Sequence, residues 1–259
     1  MKVHFIGIGG IGLSALARFL NFDGHVVSGS DMKSSLITKA LEDEGIKVSC
    51  PQSASNMQDD FDLVIYSAAV TDENPELIEA RLKQIRTLSR KEALPIILGD
   101  KKNYCVAGAH GKSTTTAMLA SILQSSALIG AISKDFGSNF RYVNDLIAFE
   151  ADESDASFLL SNPHCAIVTN AEPEHMEYYH YDYDKFYGSY ERFLSLAKKR
   201  VVNAEDKDIA KLKIEDAVYL YPSKDIKNLC YTLKNGEPCT KFDLKDLGTF
   251  EVWGFGFHM

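Results

Sequence analysis

"KVHFIGIGGIGLSALARFL", residues 2–20, joins two periodicities without a gap. The run KVHFIGI is apolar almost throughout, the pattern of a strand buried on both faces. From Ile11 to Leu20 the apolar residues recur at helical spacing. Between them lies Gly7-Ile8-Gly9-Gly10-Ile11-Gly12, a turn rich in residues without side chains. Strand, glycine turn and helix in that order predict a βα unit, and the chain repeats the alternation. HVVSGSD (25–31) reads as a second strand and LITKALEDEG (36–45) as a helix closing on Gly45; FDLVIYS (61–67) and PELIEARLK (75–83) follow. Such a succession implies a mostly parallel sheet with helices on both faces.

The texture turns polar around LGDKKN (98–103), and a second alternating series begins with YCVAG (104–108). It continues through LIAFEAD (146–152), CAIVTN (165–170) and RVVNAED (200–206). A domain boundary is expected near residue 100, giving domains over 1–99 and 100–259. LCYTLKNGEPCTKFDL (229–244) predicts a hairpin turning at Asn235-Gly236, followed by TFEVWGFGFHM (249–259). The 259 residues are 45% hydrophobic and 25% charged, the mix of a soluble globular protein. No apolar run approaches the roughly 20 residues of a membrane helix, and no basic leader precedes the first strand. Five scattered cysteines with no C-x-x-C pair suit a reducing compartment, so a cytoplasmic location is expected. The net charge of −8 argues against nucleic acid as a partner. An acidic chain that binds anions must do so locally, with backbone amides and a few placed cations.

The first glycine turn satisfies G-x-G-x-x-G between a strand and a helix, and Asp31 ends the next strand. Small residues let the backbone approach a diphosphate at the helix N-terminus, and the acid can meet a ribose hydroxyl. NAD and a UDP-sugar both fit that description. A second loop, Gly108-Ala109-His110-Gly111-Lys112-Ser113-Thr114, follows YCVAG directly. It is a shortened P-loop, G-x-x-G-K-S-T. Its amides can cradle phosphates, Lys112 can reach the terminal phosphate, and Ser113 can ligate Mg²⁺. A P-loop also needs a carboxylate near the end of a neighbouring strand. LIAFEADESD offers Glu150, Asp152, Glu153 and Asp155, and Glu150 is the expected ligand because it sits at the strand's end. Beyond CAIVTN, the residues Glu172, Glu174, His175 and His180 are possible metal ligands without a recognised zinc spacing. The neighbouring tyrosines are expected to pack.

Taken in order, HFIGIGGIGLSALA, SGSD, VAGAHGKSTTT, EADESD and TNAEPEHMEYY resemble the Mur ligases of peptidoglycan synthesis over essentially the whole chain. The resemblance implies an α/β fold, a Rossmann-like parallel-sheet domain that binds the UDP-sugar followed by a P-loop-type α/β ATPase domain. It implies UDP-N-acetylmuramate and L-alanine as substrates, with ATP and Mg²⁺. By resemblance, Gly7, Gly9, Gly10, Gly12, Ser30, Asp31, Ser67 and Ala68 lie along the UDP-sugar. Gly108 to Thr114 hold the ATP phosphates, Ser113 and Glu150 serve one Mg²⁺, and His175 a second. Lys112, Glu150 and His175 would be catalytic, with Asn170 and Glu172 at the reaction centre. The implied chemistry is amide-bond formation through an acyl phosphate. Ala109 and Ser113 stand where the family commonly has threonine. The family's third, C-terminal domain, which brings the amino acid, lies outside this sequence. The chain alone is therefore expected to bind substrates without turnover. An NAD(P)-dependent oxidoreductase is the competing reading of the first loop, and it leaves Lys112, Ser113 and Glu150 without a role.

Overall fold

The computed structural model describes residues 1–253. In chain order the first elements are β1 (Lys2–Ile6), α1 (Ile11–Phe22), β2 (Val26–Ser30), α2 (Leu36–Asp43), β3 (Lys47–Ser49), β4 (Leu63–Tyr66), α3 (Pro75–Leu82), β5 (Thr87–Ser89) and α4 (Arg90–Leu98). Next come β6 (Lys102–Ala107), α5 (Lys112–Leu123), β7 (Ser126–Ser133), β8 (Ser138–Arg141), β9 (Leu146–Glu150), β10 (Pro163–Val168), α6 (Tyr183–Leu196), β11 (Lys199–Asn203) and β12 (Val218–Leu220). The chain closes with α7 (Pro222–Asp225), β13 (Ile226–Lys234), β14 (Glu237–Leu244) and β15 (Thr249–Trp253). Among the described residues no helix is long and apolar enough to cross a membrane.

Two compact units emerge. The first holds Met1–Lys101 together with Ala120–Phe149 and Leu160–Asn162; the second holds Lys102–Leu119, Glu150–Leu159 and the chain from Pro163 onward. In the first unit the sheet order is β3-β2-β1-β4-β5, every pair parallel. β1 lies at the centre, where the order reverses, and Val3, Phe5 and Ile6 are fully buried. A ligand crevice is expected beyond the carboxyl ends of the strands at such a reversal. The helices start with local signals. Ser35 caps α2 through the Thr38 amide, and Asn74 caps α3 just before Pro75. Ser89 and Glu92 form a reciprocal box on α4. α1 has no side-chain cap.

The strand β7 pairs in parallel with β9 and antiparallel with β8. Phe140 meets Phe19 of α1 edge-on. Asn139, fully buried, donates to the Ile11 carbonyl and to Ser14 Oγ, and accepts from Arg18 at 2.7 Å.

In the second unit β12, β11, β10 and β6 lie side by side in that order, all parallel. An aromatic cluster of Phe158, Tyr179, Phe186, Tyr190 and Phe193 fills the space under α6. Of the tyrosines expected to pack in the stretch after Asn170, Tyr179 does so, whereas Tyr178, Tyr181 and Tyr183 are exposed. A separate antiparallel sheet, β13-β14-β15, includes the hairpin turning at Asn235 and Gly236, both at positive φ. Of the stretch TFEVWGFGFHM, Thr249–Trp253 forms β15, and residues 254–259 lie outside the described residues.

Candidate functional site

The first glycine turn is drawn tight across the end of β2. The amides of Gly7 and Ile8 both donate to the Ser30 carbonyl, at 2.8 and 2.9 Å. Gly7 has φ +82°, and a Cβ there would press on Ser67 Cβ at 3.0 Å. A Cβ on Gly9 would stand 2.8 Å from Asp31 Oδ2. Asp31 itself accepts from the Gly9 amide at 2.9 Å and the Met32 amide at 2.8 Å, so its carboxylate fastens the loop to β2. Beside the turn opens a cavity of about 770 Å³ lined by Gly7, Gly9, Gly10, Asp31, Lys33 and Ser67, among others.

Beneath that turn lies a buried acid. Glu76 is fully enclosed, and accepts from the Ser30 hydroxyl, the Asn56 amide nitrogen and the Ser53 backbone amide; His4 Nε2 stands 3.5 Å away. Burial pushes the Glu76 carboxyl up, but the nearby His4 ring and the bonds from Ser30, Asn56 and Ser53 outweigh it and hold the group below its ordinary range.

The second loop runs from the end of β6 into α5, against the end of β10. The register Val168↔Ala107 places Thr169 and Asn170 beside it. Asn170 clamps the His110 peptide on both sides: its Oδ1 accepts the amide at 3.0 Å and its Nδ2 donates to the carbonyl at 2.8 Å. Gly108, at φ +138°, has no room for a Cβ against Thr169 and Asn170. Lys112 Nζ donates to the Gly108 carbonyl at 2.6 Å and to Glu153 Oε1 at 2.8 Å. That carboxylate is only 3% exposed, and its Oε2 is buried without a hydrogen-bond partner. Burial pushes the Glu153 carboxyl up, and Lys112 only partly reverses the shift. Tyr179 OH donates to the Glu153 carbonyl at 2.6 Å, fixing the backbone there; burial raises that phenol to about 12.

Such a loop can hold a polyphosphate on its amides and the Lys112 charge. Glu153 is placed to balance a cation beside it.

Comparison with known proteins fits this geometry. The model of the Mur ligase family catalytic domain matches residues 2–102, and that of the Mur ligase middle domain matches 106–229. The chain belongs to the Mur ligase family. A UDP-N-acetylmuramate--L-alanine ligase of Campylobacter curvus is 57% identical over the whole chain, and the chain covers 59% of its length. One from Helicobacter pylori is 49% identical over 99% of the chain and 57% of its own length. Among solved structures, a UDP-N-acetylmuramate-alanine ligase of Thermotoga maritima superposes with a TM-score of 0.84 at 30% identity, over 100% of this chain and 62% of that one. The chain thus spans about three fifths of the length of these relatives. The oxidoreductase reading of the first loop finds no support among them.

Within this Mur ligase chain the expected residues are distributed unevenly. Gly7, Gly9, Gly10, Asp31 and Ser67 line the first cavity. Ser30 does not: it is fully buried, its hydroxyl turned to Glu76. Ala68 is exposed next to the lining residues, and Gly12 packs on Arg90. Around the second loop, the carboxylate that meets Lys112 is Glu153, three residues beyond the expected Glu150. Glu150 closes β9 and is half-buried. His110 Nε2 lies 3.5 Å from Glu172 and 3.4 Å from Glu174. His175 is exposed at φ +51°, and among the described residues no three His, Cys, Asp or Glu side chains converge as a metal cage. Sequence reasoning passed over Thr169 and Glu76. The signal for Glu76 was available, since a glutamate following Asn74-Pro75 sits in the first turn of α3, where an acid belongs.

Proposed function

We propose that this chain binds UDP-N-acetylmuramate in the cavity beside Gly7–Gly10 and Mg-ATP on the Gly108–Thr114 loop. It would form the nucleotide-binding part of an ATP-dependent ligase that joins L-alanine to the sugar nucleotide in the cytoplasm. The observation that carries the reading is the pair of phosphate-binding turns, each braced by its own polar partner: Asp31 on Gly9, and Asn170 on His110. The names of the relatives support the choice of substrates. We further propose that the working division is residues 1–99 for the UDP-sugar and 100–259 for ATP.

In the reaction so proposed, the lactyl carboxylate of the sugar attacks the γ-phosphate of ATP, the bond to the bridging β–γ oxygen breaks, and ADP departs to leave an acyl phosphate. The amine of L-alanine attacks that carbonyl, and phosphate leaves. The chief obstacle is bringing a carboxylate onto a triphosphate. Lys112 and the amides of residues 108–114 answer it by charge and position. Magnesium suits the site, because Glu153 Oε2 is buried and unpartnered beside the P-loop lysine. Glu153 and the Ser113 hydroxyl would hold the ion, with Glu150 close in sequence and His175 at a second position. Bound there, the ion would neutralise phosphate charge. Asn170 and Glu172 flank the loop where the carboxylate would arrive.

Thermal unfolding tests the two-site reading. UDP-N-acetylmuramate and Mg-ATP should each raise the midpoint, since a ligand of the folded state stabilises it by mass action; NADH should not. Lys112→Ala should abolish protection by Mg-ATP and leave that by UDP-N-acetylmuramate. Loss of both protections together would refute two separate sites.

A further inference from the structure

The start of α1 is electrostatically incomplete. Gly10 is its cap residue, no side chain closes the first turn, and no acid lies within it. A helix start leaves several N–H groups without partners and carries roughly half a positive charge. α4 begins differently, with the Ser89–Glu92 box. Yet the first residue of α4, Arg90, brings a second positive charge onto the first turn of α1. A Cβ built on Gly12 would stand 3.1 Å from Arg90 Nε and 3.5 Å from Cζ and Nη2. Nε is buried and has no hydrogen-bond partner. Among the described residues no carboxylate pairs with this guanidinium. Asp31, the acid that touches the turn, bonds Gly9 instead.

An unpaired guanidinium against an uncapped helix start is repulsive unless an anion neutralises both. Gly9 and Gly10, on the same turn, line the 770 Å³ cavity. We propose that Arg90 is a substrate-binding residue of this cavity, holding the diphosphate of the nucleotide-sugar together with the first-turn amides of α1. The inference rests on reading the cavity as a nucleotide-diphosphate site. It also assigns Gly12 a task distinct from that of Gly7 and Gly9. Gly7 and Gly9 keep the turn close to Ser67 and Asp31, whereas Gly12 leaves the space into which the guanidinium packs. Arginine suits such a place because its planar fork can meet two phosphate oxygens at once.

Calorimetric titration with UDP, and thermal protection by inorganic pyrophosphate, test the assignment in Arg90→Gln and Arg90→Lys. Bonds to charged groups of this kind predict a tenfold to hundredfold loss of UDP affinity in Arg90→Gln, with Arg90→Lys between it and the wild type. Pyrophosphate should protect the wild type and not Arg90→Gln. The unliganded unfolding midpoint should move little in either variant. Wild-type UDP affinity in Arg90→Gln would overturn the role of Arg90 while leaving the cavity's assignment standing. Absence of UDP binding by the wild type would overturn both. An equal loss of UDP affinity in Arg90→Lys and Arg90→Gln, accompanied by a lowered unliganded midpoint, would also overturn it, since the residue would then serve the fold and not the ligand.

Discussion

Replacing Glu153 by glutamine separates the two carboxylates that compete for the metal-nucleotide role. Glutamine keeps the shape and can still accept from Lys112, which stands 2.8 Å from Oε1, but it has no charge to offer a cation. The side chain is 3% exposed, so solvent screens the lost interaction little. A charge-assisted bond of this kind contributes about 1.5–3 kcal/mol. At about 1.4 kcal/mol per factor of ten, Mg-ATP should bind ten to a hundred times more weakly to Glu153→Gln. Glu150→Gln, at the end of β9, should change the affinity by less than about threefold, or ~0.6 kcal/mol. Isothermal titration with Mg-ATP, repeated with ATP in EDTA, provides the measurement. The Glu153 variant should lose most of the difference between the two titrations. An equal or larger effect at Glu150 would refute the assignment and return the role to the strand's last residue.

Two acids should give the apo protein opposite pH responses. Glu153 is held above its ordinary range, so its contribution to stability is present below about pH 4 and is lost as pH rises through its folded pKa; Glu153→Gln should remove that decline. Glu76 is held below its ordinary range, so its contribution is present above about pH 4 and is lost as pH falls through its folded pKa; Glu76→Gln should remove that acid-side loss. Urea midpoints across a pH series check both, and slopes of the reverse sign would refute the burial argument. As an isolated polypeptide, residues 1–259 should release no phosphate in response to L-alanine while still binding both nucleotides; positioning of the amine is worth roughly 7–11 kcal/mol of barrier, and steady L-alanine-dependent turnover would place the acceptor site within these residues.

The parts of the fold that could be read directly were those set by local order. β1 is buried on both faces, so its run of apolar residues announces a central strand, and the glycine turn and α1 follow without a break. The hairpin at Asn235-Gly236 was equally local, since both residues must adopt positive φ. β3 and β5, three residues each, were too short to show a period. β7 and β8 had no turn signal strong enough to separate them from their surroundings. Nor could the sequence show that residues 120–149 pack with the first unit. That depends on Asn139 reaching Ile11 and Ser14 of α1, more than a hundred positions away.

The same division holds at the sites. A glycine turn can be recognised because backbone amides bind phosphate whatever the neighbouring side chains are. Which acid or base completes the turn is decided by the rest of the molecule. In EADESD four acids stand within six residues, and once β9 ends at Glu150 no regular period says which of them turns inward. In the fold Glu153 turns inward to Lys112, and Tyr179, itself packed in the aromatic cluster under α6, bonds the Glu153 carbonyl. Ser30 shows the converse. It ends a strand at the place where a ligand contact is expected, yet Glu76 of α3 takes its hydroxyl, and only its carbonyl serves the loop. At both loops the polar groups that brace the turn or its lysine come from residues distant in sequence: Asp31 on Gly9, Asn170 on His110 and Glu153 on Lys112. Substitutions at Glu153 and Arg90 should weaken ligand affinity while leaving the turns themselves in place.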